Sequence, residues 1–235
     1  MAEEVSIRVN FARPMPVFPL GHVALLPQQI LPMHIFEPRY RQMIGEVLDG
    51  PGQIAMATFD GDDWKQTYHG NPPVRPAVCI AQIVQHEAMD DGRFNLLIQG
   101  VCRARIVEES LPDETRLYRE AMLEPIGMAE EPIGPADELC SWLAENLCEE
   151  PLSRLASAEE MVKLIDSGQI PPQVVLEVVS FVLITDDRTR YALLEEGSVR
   201  RRSGLVRTSL DDLAGVLRKA AAQKPEEWPK GCSWN

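Results

Sequence analysis

Along the first half of the chain apolar residues come in short bursts cut by proline and glycine, while along the second half they recur at helical spacing. Residues 17–20 and 23–26 are two brief apolar segments joined around Gly21, which predicts a pair of short strands. From 36 to 48 the apolar positions Phe36, Tyr40, Met43, Ile44, Val47 and Leu48 fall at three- and four-residue steps between polar neighbours. That spacing predicts an amphipathic helix, with Pro38 in a first turn that needs no N–H and Gly50, Pro51 and Gly52 at its end. Strand character resumes over 54–59, and the polar stretch 60–76 reads as a long loop whose acidic start (60–63) is a solvated turn. The clearest hairpin pairs 78–87 with 94–99 around Asp90, Asp91 and Gly92, residue types that accept the positive φ of tight turns. Residues 101–107 and 118–123 complete a run of six to eight short strands with one helix, which points to a closed or nearly closed barrel because closure removes exposed edges.

After Glu124 the period changes. Pro125, Pro132 and Pro135 mark a connector, and Leu139, Trp142, Leu143 and Leu147 then share one helical face. A shorter helix over 158–166 stops at Gly168; Pro171 and Pro172 open an apolar helix over 174–184, expected at the centre of the helical part. Thr185 or Asp186 caps a helix bearing 191–194. Ser198 opens a last one with Val199, Leu205, Val206, Leu210, Leu213, Val216 and Leu217 on its apolar side. The expected fold is thus α+β, with a β-barrel over 15–125, an α-helical bundle over 135–222 and a flexible tail over 223–235.

Composition narrows the function classes. With 45% apolar residues the 235-residue chain can build a substantial core. No apolar run reaches the roughly 20 residues needed to span a bilayer, and the first residues lack a signal-peptide core, so a cytoplasmic, non-membrane protein is expected. The net charge of −13 opposes nucleic-acid binding, which draws on cationic neutralisation of phosphates. Arg200, Arg201 and Arg202 form the one basic cluster, read as a solvated helix face. Five cysteines without a CxxC pair read as reduced thiols, and His22, His34, His69 and His86, scattered singly, as structural histidines, so no metal and no cofactor is expected.

The segment VFPLGHVALLPQQILPMHIFEPRYRQMIGEVL, residues 17–48, resembles the opening of the Lon protease N-terminal domain family, above all in Pro32, Met33, His34, Ile35, Phe36, Glu37, Pro38, Arg39 and Tyr40. The order and spacing of 78–83, of DGRFNLLIQGVCRARI (91–106), of Tyr118 with Ala121, and of YALLEEGSVRRRSGL (191–205) are similar to the family's later strands and helix pair. Thr189 and Arg190 stand where the family usually has lysine-glutamine. The resemblance covers about 15–220 and implies a PUA-like β-barrel followed by a helical bundle, working in substrate recognition. The ATPase and serine-lysine protease parts of a full Lon protease have no counterpart: no GxxxxGK phosphate loop occurs, nor any Gly-Lys pair.

These readings lead to a non-catalytic module for polypeptide segments, or for a protease or chaperone partner. The alternative is an enzyme or small-ligand protein using a cleft between barrel and helices. Trp64 and Tyr68, aromatic residues on the polar loop, are candidate partner anchors unless they fold back onto the barrel. Met33, with Met43, Met56, Met122 and Met128, offers thioethers suited to varied apolar partners. His34 and Glu37 could resemble an acid–base pair. Glu37 near a helix start is expected to serve the unpaired amides there instead, or to join Arg39 in locking the barrel to its first helix.

Overall fold

The computed structural model describes residues 7–21, 23–68, 70–127 and 134–222. His22, His69, Met128, Pro132, Cys232 and the 223–235 tail lie outside the described residues. The chain is α+β, with strands β1 (Met15–Leu20), β2 (Ile30–Ile35), β3 (Gln53–Thr58), β4 (Ala77–Ala88), β5 (Phe94–Ser110) and β6 (Glu120–Pro125). The helices are α1 (Pro38–Leu48), α2 (Gly134–Asn146), α3 (Ala158–Asp166), α4 (Pro172–Val182), α5 (Asp187–Glu195) and α6 (Val199–Ala222). Its described residues divide into two compact units. One comprises those of Met1–Glu131 and Thr185–Val199, the other those of Pro132–Ile184 and Arg200–Asn235.

In the first unit the strand pairings form a ring. β5 pairs with β4, β4 with β3, β3 with β1, β1 with β6, and β6 returns to β5. All pairs are antiparallel except β1–β3, whose parallel register (Val17↔Ala55) requires the long connection that carries β2 and α1. A ring of so few strands leaves little room inside, and its buried cluster includes four alanines, Ala55, Ala57, Ala104 and Ala121, beside Met15, Val17, Val78, Ile80 and Leu123. β2 stands outside the ring on the first half of β5, from Ile30↔Gln99 to Ile35↔Phe94. β5 serves both by running on for 17 residues, the register shifting at Ile80/Ala81, Ile83/Gln85 and Ile106/Glu108.

Residues 23–26 are not a strand. Ala24, Leu25 and Leu26 are buried, at 2%, 1% and 0% exposure, but in a loop that crosses β5 at Gly100. Gln28 N donates to Gly100 O at 2.8 Å, and Gly100 N to Gln29 O at 2.9 Å. A Cβ at Gly100 would lie 2.2 Å from Leu26 O, so the crossing demands glycine. The hairpin turn at Gly92, with φ 77°, is as expected.

Helix α1 buries Tyr40, Met43, Ile44 and Val47, and Tyr40 packs on Phe18 of β1 with ring centroids 4.2 Å apart. Phe36, expected on its apolar side, precedes the helix and is 60% exposed, because β2 continues to Ile35 and sets the side-chain direction there. Helix α5 belongs to the strand unit. Its Tyr191 Oη accepts from Ala77 N at 2.8 Å, and its Leu193 O accepts from Arg103 Nε at 2.9 Å. Asp186 caps it, accepting from Thr189 N at 2.7 Å.

In the second unit α4 is the most apolar helix and buries Val175, Leu176 and Val179. The arginine cluster at the start of α6 is not uniformly solvated: Arg202 is 6% exposed and pairs with buried Glu177 of α4 at 3.3 Å. Arg207 of α6 lies over the Trp142 ring of α2, 5.2 Å from its centroid. Val216, expected inward, is 62% exposed and lies beyond Ala214, the last buried residue of α6 among those described.

Candidate functional site

The stretch from the end of β2 into α1 and the loop 59–76 meet through four side chains. Glu37 is the N-cap residue of α1 by backbone conformation, yet its carboxylate makes no cap bond. It turns instead to Arg39, whose Nη2 is 3.0 Å away and whose Nε donates at 3.1 Å, and accepts a hydrogen bond from the Tyr68 hydroxyl. The Arg39 guanidinium lies between two rings, 4.6 Å from the Tyr40 centroid and 4.7 Å from that of Tyr68. Burial opposes the charge on Arg39, but Tyr40 and Glu37 outweigh it and hold the guanidinium pKa above its ordinary value. The two charges inside the apolar signature therefore lock the loop onto the first helix.

Trp64 follows the same course. Its ring stacks on Phe59 at 4.9 Å and 12°, stands 5.9 Å from Tyr68, and rests on the backbone of Gly21, where a Cβ would come within 2.9 Å of it. Trp64 and Tyr68 are half-buried walls of the strand unit, folded back rather than presented outward. Of the methionines, Met43 and Met56 are core, whereas Met33 and Met122 are half-buried.

Met33 lies elsewhere, on β2. Among the described residues this strand pairs only with β5, and its alternation turns Leu31, Met33 and Ile35 inward and Ile30, Pro32 and His34 outward. Ile30 is 55% exposed, and Phe36 continues the outward row with its ring 6.2 Å from that of His34. His34 Nδ1 is 2.8 Å from Asn95 Oδ1 and its Nε2 is 3.4 Å from Arg93. The imidazole is thus engaged across the sheet while Glu37 is engaged by Arg39 and Tyr68; the two do not form a pair. The outcome, among the described residues, is an edge strand whose outward row holds exposed Ile30 and Pro32 beside His34 and leads on to exposed Phe36, and whose Pro32 has no N–H to offer.

No group of three His, Cys, Asp or Glu side chains among the described residues is placed to hold a metal ion. No described helix is long and apolar enough to cross a membrane. The thiols of Cys102 and Cys140 are held above their ordinary pKa by burial, the reverse of what a nucleophile needs.

The lock explains the charged positions of the signature; they could be seen in sequence, but not their partner Tyr68, which lies 31 residues from Glu37. Comparison with known proteins agrees with this architecture. The N-terminal domain of Lon protease from Mycobacterium avium complex superposes with a TM-score of 0.63 at 16% identity, covering 85% of this chain and 99% of that domain. The Lon N-terminal domain protein from Xanthomonas campestris gives 0.57 at 18% identity, over 86% and 98%. In sequence, the Lon protease of Desulfosudis oleivorans is 31% identical over 91 residues, 39% of this chain and 11% of that protease. That of Trichlorobacter lovleyi is 26% identical over 166 residues, 69% and 18% respectively. The chain therefore spans less than a fifth of the length of these proteases. Residues 14–212 match the family pattern of the ATP-dependent protease La (LON) substrate-binding domain, and the chain belongs to that family.

Proposed function

We propose that this chain binds extended or unfolded polypeptide segments, without itself making or breaking covalent bonds, and serves as an adaptor in protein quality control in the cytoplasm. The observation that carries this reading is the outward row of β2. Ile30 on β2 and Phe36 just after its end stand 55% and 60% exposed, and among the described residues β2 has a single partner strand, in a chain whose family is described by substrate binding. An extended segment can lie along such an edge and cover apolar side chains that water now surrounds. Burying two half-exposed side chains is worth about 1 kcal/mol each, together about a thirtyfold change in affinity.

The test is a titration of the chain into a fluorescent, reduced and carboxymethylated protein that stays unfolded. Saturable binding is expected, weakened about thirtyfold in the Ile30→Ser/Phe36→Ser double variant, with an unchanged circular dichroism spectrum. Failure of the wild-type chain to bind the unfolded protein refutes the reading.

A further inference from the structure

The strands of the ring each pair with two others in it, whereas β2 pairs only with β5 among the described residues, so the sheet keeps one open edge. Which backbone groups face that edge follows from Pro32. It stands opposite Leu97 in the antiparallel register, yet a proline has no N–H to exchange, so the two form a non-hydrogen-bonded pair. Leu31 and Met33 on either side then bond to Ile98 and Leu96, while Ile30, Pro32 and His34 turn their backbone groups away from β5. The neighbouring bond agrees: Gly100 N donates to Gln29 O at 2.9 Å, and Gln29 alternates in step with Leu31 and Met33. No other group among the described residues takes up the outward N–H and C=O groups of Ile30, Pro32 and His34.

The edge therefore offers a complete N–H and C=O pair at Ile30, another at His34, and a lone carbonyl at Pro32 between them, spaced about 7 Å apart along the strand. All three residues are exposed, and their side chains share the outward face that leads on to Phe36. A second copy of β2 fits such an edge poorly. Paired about a twofold axis at Pro32, two prolines would face each other and both central bonds would be missing, which is how a proline guards an edge against self-pairing. A foreign strand loses one bond only, because its own amide opposite Pro32 still donates to the proline carbonyl. Its residues opposite Ile30, Pro32 and His34 carry their side chains on the same outward face, where apolar ones cover Ile30 and approach Phe36.

Resting on the polypeptide-binding reading above, we propose that the free edge of β2 takes the bound segment as an additional antiparallel strand, recognised through its backbone N–H groups at every second residue. The substrate class is thereby extended segments with apolar residues at alternate positions and prolines only between them.

The experiment uses the full chain and a fluorescent octapeptide of alternating valine and threonine, with two companions N-methylated at every valine or at every threonine. The reduced, carboxymethylated unfolded protein is the second probe. Valine methylation removes the donors that face β2 and is expected to weaken binding at least about tenfold, whereas threonine methylation changes it by less than about twofold. Pro32→Ala adds a donor in the middle of the edge without touching the β5 ladder. It should tighten the unmodified peptide about fivefold, the scale of one hydrogen bond, with an unchanged circular dichroism spectrum. Equal losses on methylating either residue, no gain in Pro32→Ala, or capture of the unfolded protein without the peptide overturns the added strand while leaving polypeptide binding intact. A wild-type dimer in sedimentation that Ile30→Pro dissolves would assign the edge to a second copy and overturn it as well. Failure to bind either probe removes the underlying reading too.

Discussion

Replacing Gly100 by alanine tests the crossing of the 23–29 loop over β5. The new methyl carbon would sit 2.2 Å from Leu26 O and 3.1 Å from Cys79 Sγ, and the first of these is backbone that cannot swing aside. Relieving it means lifting the loop, which gives up the bonds from Gln28 N to Gly100 O and from Gly100 N to Gln29 O. Two backbone hydrogen bonds are worth about 1 kcal/mol each, and overpacking adds about 1–3 kcal/mol, so the loss is about 3–5 kcal/mol. Since a domain has only about 5–15 kcal/mol to lose, Tm should fall by roughly 10 °C. Gly45 in α1 supplies the opposite sign: nothing lies within 4 Å of its missing Cβ, and Gly45→Ala should stabilise by about 0.5–1 kcal/mol through helix propensity. Urea denaturation followed by circular dichroism reads both changes, and hydrogen exchange of 23–29 reports whether the loop has lifted. A Gly100→Ala chain within about 1 kcal/mol of wild type would refute the close crossing.

Titration of the tyrosines is a second expectation. Burial raises the phenol pKa of Tyr40, Tyr68, Tyr118 and Tyr191, which are all four in the chain. Tyrosinate absorbance should therefore appear later than in a free tyrosine, whose pKa is about 10. A folded value above the unfolded one gives stability that is complete below about pH 10 and lost as pH rises towards the folded values, so alkaline unfolding and ionisation should coincide; four ordinary titrations in a folded chain would contradict this. Thiol labelling is a third. Among the described cysteines, exposed Cys148 should alkylate first, half-buried Cys102 and Cys140 slowly at neutral pH, and Cys79, 0% exposed, only on unfolding, as peptide mass spectrometry would show. Rapid labelling of Cys79 in the native chain would be inconsistent with its place in β4.

What could be read in advance was what the chain's local periodicity encodes. Tyr40, Met43, Ile44 and Val47 follow from a 3.6-residue repeat, and the Gly92 hairpin from its turn residues. Residues 23–26 are apolar because they are buried, not because they pair as a strand, and the loop that carries them is fixed by its crossing at Gly100, more than 70 positions later. An apolar stripe also tells that a helix is covered but not by what, and so α5 was grouped with the other helices although Tyr191 docks on β4. The same limit applies to charge. Arg202 looks like its neighbours Arg200 and Arg201 until the fold brings Glu177 to it. At the site, the signature's Glu37 and Arg39 stood out as charges in an apolar segment, whereas the folding back of Trp64 and Tyr68 depended on Phe59, Gly21 and Arg39 meeting in space.

Because α5 belongs to the strand unit, synthesis of the chain completes that unit late. The polypeptide leaves the first unit after Glu131, builds α2 to α4, returns for Thr185–Val199, and departs again into α6. A ribosome delivers residues in order, so the ring can pair its strands early but waits for α5 before Tyr191 can satisfy the Ala77 amide. Neither unit can be excised as one uninterrupted fragment, and a protein truncated between α4 and α5 would carry that amide and the Arg103 guanidinium without these two partners.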